Sequence, residues 1–177
     1  MQHPPRKSLR LSDFDYTLGR VYFLTICTHE WRPIFGDIAG GVLHASKCGT
    51  IVSECWFELP YHYARLKLGD FTVMPNHVHG LISLHDPVGA GLRPARRSDS
   101  VSEIVRAFKS FSSRRIHAAV ANAPKNIWQR GFYDRIVRNS DECSRIRRYI
   151  RRNAERWEYD RENSERRKDR DVEEWDS

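Results

Sequence analysis

Hydrophobic positions along this chain switch between a two-residue and a helical period, and the switches mark its elements. Val21 to Thr28 is apolar or β-branched on both faces, which predicts a central strand. His29 to Gly41 is rich in turn residues and predicts a loop or hairpin. From Ser46 the apolar positions are Cys48, Ile51, Val52, Cys55, Trp56 and Leu59, a helical spacing that Pro60 should stop. Leu66 to Val73 reads as a second strand, with an irregularity at Gly69-Asp70. Met74-Pro75-Asn76 turns the chain into a third strand, His77 to Leu84, so these two strands predict a hairpin. Residues 86–100, with Arg93, Arg96 and Arg97, read as a flexible loop. Ser100 with Glu103 forms a capping box ahead of a helix whose apolar face is Val101, Ile104, Val105, Phe108 and Phe111. Phe132 to Val137 predicts a fourth strand. Ser140, followed by Asp141 and Glu142, starts a third helix that runs to about Asn153.

Strand, helix, strand, strand, helix, strand is the split βαβ order of a ferredoxin-like α+β fold. It predicts one antiparallel sheet with helices on one side, and an added C-terminal helix. The predicted organisation is a basic arm over residues 1–19, a folded domain over 20–153, and a charged tail over 154–177, read as a solvated helix or a disordered segment.

A chain of 177 residues with 40% hydrophobic content is long enough for one domain with its own core. No stretch approaches the roughly 18 apolar residues of a spanning helix. No apolar segment follows the polar N-terminus, so no signal peptide is expected. Cys27, Cys48, Cys55 and Cys143 lie within apolar patterns and form no Cys-x-x-Cys pair. They fit buried thiols of a reducing cytoplasm, not a disulfide frame or a zinc site.

The net charge of +7 is unevenly placed. Residues 101–153 carry 13 basic and 4 acidic groups, whereas residues 154–177 carry 6 basic and 10 acidic ones. Of the 30 basic residues 24 are arginine, whose planar fork suits phosphate. A nucleic acid is therefore the expected partner. Candidate phosphate contacts are Arg6, Lys7 and Arg10 in the arm, and Arg93, Arg96 and Arg97 in the loop. On the second helix they are Lys109, Arg114 and Arg115. Arg130, Arg135 and Arg138 surround the fourth strand, and Arg145, Arg148 and Arg152 lie on the third helix. Trp128, Phe132 and Tyr133 fit either base stacking or core packing.

Residues 74–80 read Met-Pro-Asn-His-Val-His-Gly. On a strand His77 and His79 share a face. Two imidazoles side by side fit two positions of one divalent metal, and equally two ordinary strand residues. Leu81 ends the row, so other ligands must come from elsewhere. Tyr149 and Asn153, one helical turn apart among arginines, offer a hydroxyl nucleophile and an oxygen ligand; a tyrosine beside an apolar stripe also fits plain packing. No Ser-His-Asp or Cys-His arrangement supports a hydrolase. A ferredoxin-like nucleic-acid-binding protein without catalysis would instead present exposed aromatics on the sheet.

Five segments occur in order: Tyr22-Phe-Leu-Thr-Ile-Cys-Thr, Val73-Met-Pro-Asn-His-Val-His-Gly, Phe108-Lys-Ser, Trp128-Gln-Arg-Gly-Phe-Tyr-Asp-Arg-Ile-Val-Arg-Asn and Arg148-Tyr-Ile-Arg-Arg-Asn. Together they resemble the single-tyrosine transposases with a His-hydrophobic-His motif, and among these the REP-associated tyrosine transposases. The resemblance spans about residues 6–157. It implies that Tyr149 attacks a phosphodiester in single-stranded or hairpin DNA, leaving a 5′-phosphotyrosine and a free 3′-hydroxyl. It implies that His77, His79 and Asn153 hold Mg²⁺ or Mn²⁺, and that the protein works in the cytoplasm, at the nucleoid, as a monomer or homodimer. An insertion-sequence transposase mobilising its own element is the alternative within the same chemistry. In this branch a proline commonly follows the asparagine, whereas here Ala154 follows Asn153, so the helix is free to run further.

Overall fold

A computed structural model describes residues 19–85, 100–160 and 162–163. Most of the predicted arm, the loop with Arg93, Arg96 and Arg97, and most of the tail lie outside the described residues. Four long segments pair into one sheet: β1 (Gly19–Cys27), β4 (Leu66–Met74), β5 (His77–His85) and β6 (Tyr133–Val137). Their order is β4-β5-β1-β6 and every neighbour is antiparallel, as the split βαβ pattern requires. The turn-rich region after β1 forms a small hairpin, β2 (Gly36–Ala39) with β3 (Val42–Ala45).

The two faces of the sheet have different tasks. Leu24, Ile26, Val78 and Ile82 point to one face and build the main core with α1 (Lys47–His62) and α2 (Val101–Ala119). Within it Trp56 stacks on Phe71 at 4.6 Å and meets Phe108 edge-on. The expectation of helices on one side holds for α1 and α2 alone. The third helix, α3 (Ser140–Arg152), packs on the opposite face, where Cys143 and Ile150 meet Val21 and Leu81. That face carries Thr25, His77 and His79, because alternate strand residues share a side.

The ends of α1 and α3 differ from the expectations, whereas α3 starts at Ser140 as expected. Pro60 does not stop α1, which continues to His62, with Tyr63 N–H donating to Leu59 O at 3.1 Å. Proline this near the C-terminus removes one ladder bond, a modest loss beside the burial of Trp56 and Leu59. The cap of α3 is Asn139, whose side chain accepts from Glu142 N–H at 2.8 Å, and Ser140 is the first helical residue. Ala154 does not extend α3. Asn153 ends it, and a 3-10 segment, Ala154–Tyr159, turns the chain back toward the sheet.

Gly80 lies between the histidine row and the main core. A Cβ there would overlap the buried ring of Trp56. Gly80→Ala is therefore expected to lower stability by about 1–3 kcal/mol, the usual cost of overpacking, as a reduced urea midpoint with an unchanged slope.

A candidate metal and nucleophile centre

The site is built from the turn that opens β5. Thr28, on the strand-side neighbour, donates to Asn76 O through its backbone N–H at 2.8 Å and its hydroxyl at 2.9 Å. This fixes Asn76, whose amide nitrogen donates to Glu162 O at 2.6 Å. Its Oδ1 is thereby the acceptor for His77, and His77 Nδ1 donates to it at 2.8 Å. Across β1, His79 Nδ1 lies 2.9 Å from Thr25 Oγ1, near the Leu24 carbonyl. In the tautomer that places each ring proton on Nδ1, the two Nε2 atoms present their lone pairs. They face each other at 3.0 Å.

Burial keeps both rings neutral. His77 is fully buried, and desolvation lowers its pKa to about 3. His79 is pushed well down by burial first and then by His77, with Asp160 acting in the opposite direction. Asp160 was not foreseen. It is buried, and with His77 and His79 it forms a set whose ligand atoms all lie within 4.8 Å of one another. Two bare imidazole nitrogens and a carboxylate repel one another unless a cation lies between them. Their separation of 3.0 Å matches two adjacent ligands on an ion with bonds of about 2.1 Å. The donor set therefore fits a divalent metal, and mixed nitrogen and oxygen donors suit Mn²⁺ better than Mg²⁺.

Tyr149 stands at the same point. Its hydroxyl is 3.1 Å from His79 Nε2 and donates to Asp160 Oδ2 at 3.3 Å. Burial of the phenol, and next the charge of Asp160, raise its pKa above the ordinary value. The Asn153 amide lies close enough to offset part of that rise. Even so, Asn153 is buried and neither its oxygen nor its nitrogen has a hydrogen-bond partner of sound geometry. A buried amide without partners is costly, and a ligand taken up at this point would relieve it.

The described part of the tail contributes to the site. Asp160 Oδ1 accepts from Glu162 N–H at 2.8 Å, and Trp31 Nε1 donates to Glu162 Oε2 at 2.9 Å. Trp157 lies 6.0 Å from the His77 ring. Residues 154–160 and 162–163 thus lie against the start of β5, not in a solvated extension. Alternating acids and bases in the sequence carried no signal for this, because the contacts that place Asp160 come from Asn76 and Trp31.

The predicted phosphate contacts divide. Arg145, Arg148 and Arg152 line a cleft of about 240 Å³ with Tyr149, Asn153, Arg156, Tyr159 and Asp160. Arg156 was not anticipated. Arg130 and Arg138 are exposed near β6, and Arg135 pairs with Glu142 at 2.5 Å. Lys109, Arg114 and Arg115 sit on α2, across the sheet from Tyr149. Lys109 is a structural cation: its amine donates to the carbonyls of Gln129, at 3.0 Å, and Gly131, and burial lowers its pKa to about 8. Arg115 clamps Glu54 and Glu58 of α1 at 2.9 and 2.8 Å, and Arg114 covers the Phe111 ring. Arg6, Lys7, Arg10, Arg93, Arg96 and Arg97 lie outside the described residues. Trp128 packs in the main core, whereas Tyr133 is exposed. Among the described residues no helix is long and apolar enough to cross a membrane.

The histidine pair makes stability pH-dependent. His77 titrates near 3 in the folded chain and near 6.5 when unfolded, so the unfolded state takes up the proton first as pH falls. Stability in EDTA should decline from about pH 6.5 downward, by up to roughly 1.4 kcal/mol per pH unit for this group. Urea titrations of wild type and His77→Gln check this. The variant should lose less stability between about pH 6.5 and 5, and parallel curves would show that His77 is not buried as a neutral ring.

The family profile described as "Transposase IS200 like" matches residues 58–153, which include β4, β5, α2, β6 and α3. An uncharacterized protein of Haemophilus influenzae is 29% identical over 171 residues, covering 88% of this chain and 91% of that one. Among solved structures, a REP-associated tyrosine transposase bound to a REP hairpin superposes with a TM-score of 0.52 at 19% identity, over 85% of this chain and 70% of that one. A candidate transposase from Deinococcus radiodurans R1 gives 0.50 at 19% identity, over 78% and 94%. At these identities the structural likeness is one of fold. The profile covers more than half of the sequence, including both histidines and the tyrosine, and the chain belongs to the IS200-like transposase family.

Proposed function

We propose that this protein nicks and rejoins single-stranded DNA at hairpin sequences, with Tyr149 as the nucleophile. One observation carries the reading: the Tyr149 hydroxyl sits 3.1 Å from the imidazole nitrogen at which a buried His pair and Asp160 converge, in an arginine-lined cleft. A packing tyrosine has no need of such a place. The hairpin target is taken from the REP hairpin named for the structural relative. Buried histidines at the centre of that sheet face also speak against a purely binding role, with an exposed aromatic, Tyr133, on the edge strand β6.

In the proposed reaction the phenol oxygen attacks phosphorus, and the bond from phosphorus to the 3′ oxygen breaks. The electron pair leaves on that oxygen, which becomes a 3′-hydroxyl on protonation. Asp160 Oδ2, in contact with the phenol, is placed to take its proton. A later 3′-hydroxyl reverses the attack and restores the phosphodiester, so no nucleotide cofactor is needed. Arg145, Arg148, Arg152 and Arg156 hold the phosphates and offset the charge that develops. His77, His79 and Asp160, with the Asn153 amide beside them, would hold Mn²⁺ or Mg²⁺, which supplies Lewis-acid polarisation of the scissile phosphate. The protein acts in this reading on chromosomal DNA in the cytoplasm, as a monomer or homodimer.

Incubation with a hairpin oligonucleotide and Mn²⁺, followed by a denaturing gel, tests the proposal. Wild type should form a covalent adduct, and Tyr149→Phe should form none while binding the hairpin within about twofold. His77→Ala should abolish metal-stimulated cleavage but keep most of the affinity, because arginines dominate binding. An adduct from Tyr149→Phe at the wild-type rate would refute the assignment.

Salt dependence tests the cleft. Slopes of about −0.7 per phosphate contact on single strands and −0.9 on duplex give an expected slope of log K against log[salt] of roughly −3 to −6. Arg148→Ala with Arg152→Ala should flatten it by about one to two units without changing which sequence is preferred. An unchanged slope would place the DNA elsewhere on the surface.

A further inference from the structure

The irregularity at Gly69-Asp70 has a clear geometry. Leu68 pairs with Ile82 and Phe71 with Gly80, so two residues of β4 oppose the single residue Leu81. This is a β-bulge. Without it Leu68 and Phe71, three apart, would point to opposite faces. With it both face the main core, and Leu66 and Val73 keep the same side. The extra residue is used for another purpose. Asp70 reaches the face covered by α3, where its two oxygens take two different arginines. Arg147 Nε donates to Oδ2 at 2.5 Å and Arg151 Nε to Oδ1 at 2.6 Å. The carboxylate is 13% exposed, so solvent screens its pair with Arg147 little, whereas the Arg151 end faces solvent.

We propose that Asp70 is a positioning residue for Tyr149: by gripping Arg147 and Arg151 it fixes the rotation of α3 about its axis, and with it the place of the phenol. The inference rests on the reading of Tyr149 as the nucleophile. At about 100° per residue, Arg147 and Arg151 lie within roughly 40° of each other, and Tyr149 lies roughly 200° from Arg147. The sheet-facing stripe of Cys143, Ile146 and Ile150 runs between these two flanks. That stripe is narrow, and packing of so few side chains leaves rotation weakly determined. The phenol oxygen lies roughly 9 Å from the helix axis, the sum of a backbone radius of about 2.3 Å and the reach of a tyrosine. Rotation by about 10° then moves it by roughly 1.5 Å, enough to break its contacts with His79 and Asp160. Misplacement of about 1 Å at a reacting atom can slow a reaction about 100-fold. Arg145, Arg148 and Arg152 point away from this clamp and line the DNA cleft, so the arginines of α3 are split between orientation and binding.

The test uses the full chain with Asp70→Asn, which keeps the shape and removes the charge. Single-turnover adduct formation with hairpin and Mn²⁺ should slow by about 10- to 100-fold, while hairpin affinity in EDTA stays within about threefold. A site-specific 3-fluorotyrosine at position 149 provides a readout without activity. Wild type should give one narrow fluorine line and Asp70→Asn a broadened or divided one. If Asp70→Asn melts below the assay temperature, Arg151→Gln removes one of the two pairs and should show the same changes at smaller size. An unaltered fluorine line together with an unaltered adduct rate would overturn the proposal. If wild type forms no adduct but the line divides on substitution, the cleavage reading fails and the orienting role of Asp70 stands.

Discussion

Two imidazole nitrogens face each other across 3.0 Å in the protein interior, and much of the surrounding structure serves to keep them there. Left alone, such a pair would swing apart, take a proton or admit water. Asn76 holds one ring and Thr25 the other, and Asn76 is held in turn by Thr28 and by the Glu162 carbonyl. The result is an electron-rich point at the end of a strand, with a carboxylate and a phenol aimed at it. Burial does the electrostatic work: it keeps the rings unprotonated and so available as ligands.

The sheet separates stability from chemistry. One face packs Leu24, Ile26, Val78 and Ile82 against α1 and α2, with Trp56 filling the space that Gly80 leaves. The other face carries few apolar residues and has α3 laid across it on a narrow stripe. Polar contacts therefore decide how α3 sits. A single bulge in β4 supplies one anchor, beside the Arg135–Glu142 pair, without disturbing the core on the opposite side. The charge of α3 has a similar division: Arg147 and Arg151 are spent on Asp70, whereas Arg145, Arg148 and Arg152 face the cleft.

Much of this was legible in the chain because it depends on period and spacing. The strand and helix order led to the ferredoxin-like sheet, and the two-residue and four-residue spacings put His77 with His79 and Tyr149 near Asn153. What escaped depends on contacts between distant segments. Asp160 stands among acids and bases with no periodic pattern, and it is placed by bonds from Asn76 and Trp31 to its neighbour Glu162. Lys109 and Arg115 counted as positive charge, yet one is consumed by the Gln129 and Gly131 carbonyls and the other by Glu54 and Glu58. Gly69-Asp70 was visible as an irregularity, but its partner helix was not. Asn139 and Ser140 are both cap formers, and only the backbone distinguishes the one outside the helix from the one within it.

The proposed chemistry turns on one oxygen atom, and mapping the covalent adduct addresses it directly. Trypsin cuts after Arg148 and after Arg151, which isolates Tyr149 in a tripeptide, while Tyr159, 70% exposed in the same cleft, falls in a separate fragment of residues 157–161. Mass spectrometry of the digested, nuclease-trimmed adduct should place the 5′-phosphonucleotide on the Tyr149 tripeptide and nowhere else. Modification of the Tyr159 fragment, or of a residue outside the cleft, would contradict the central claim.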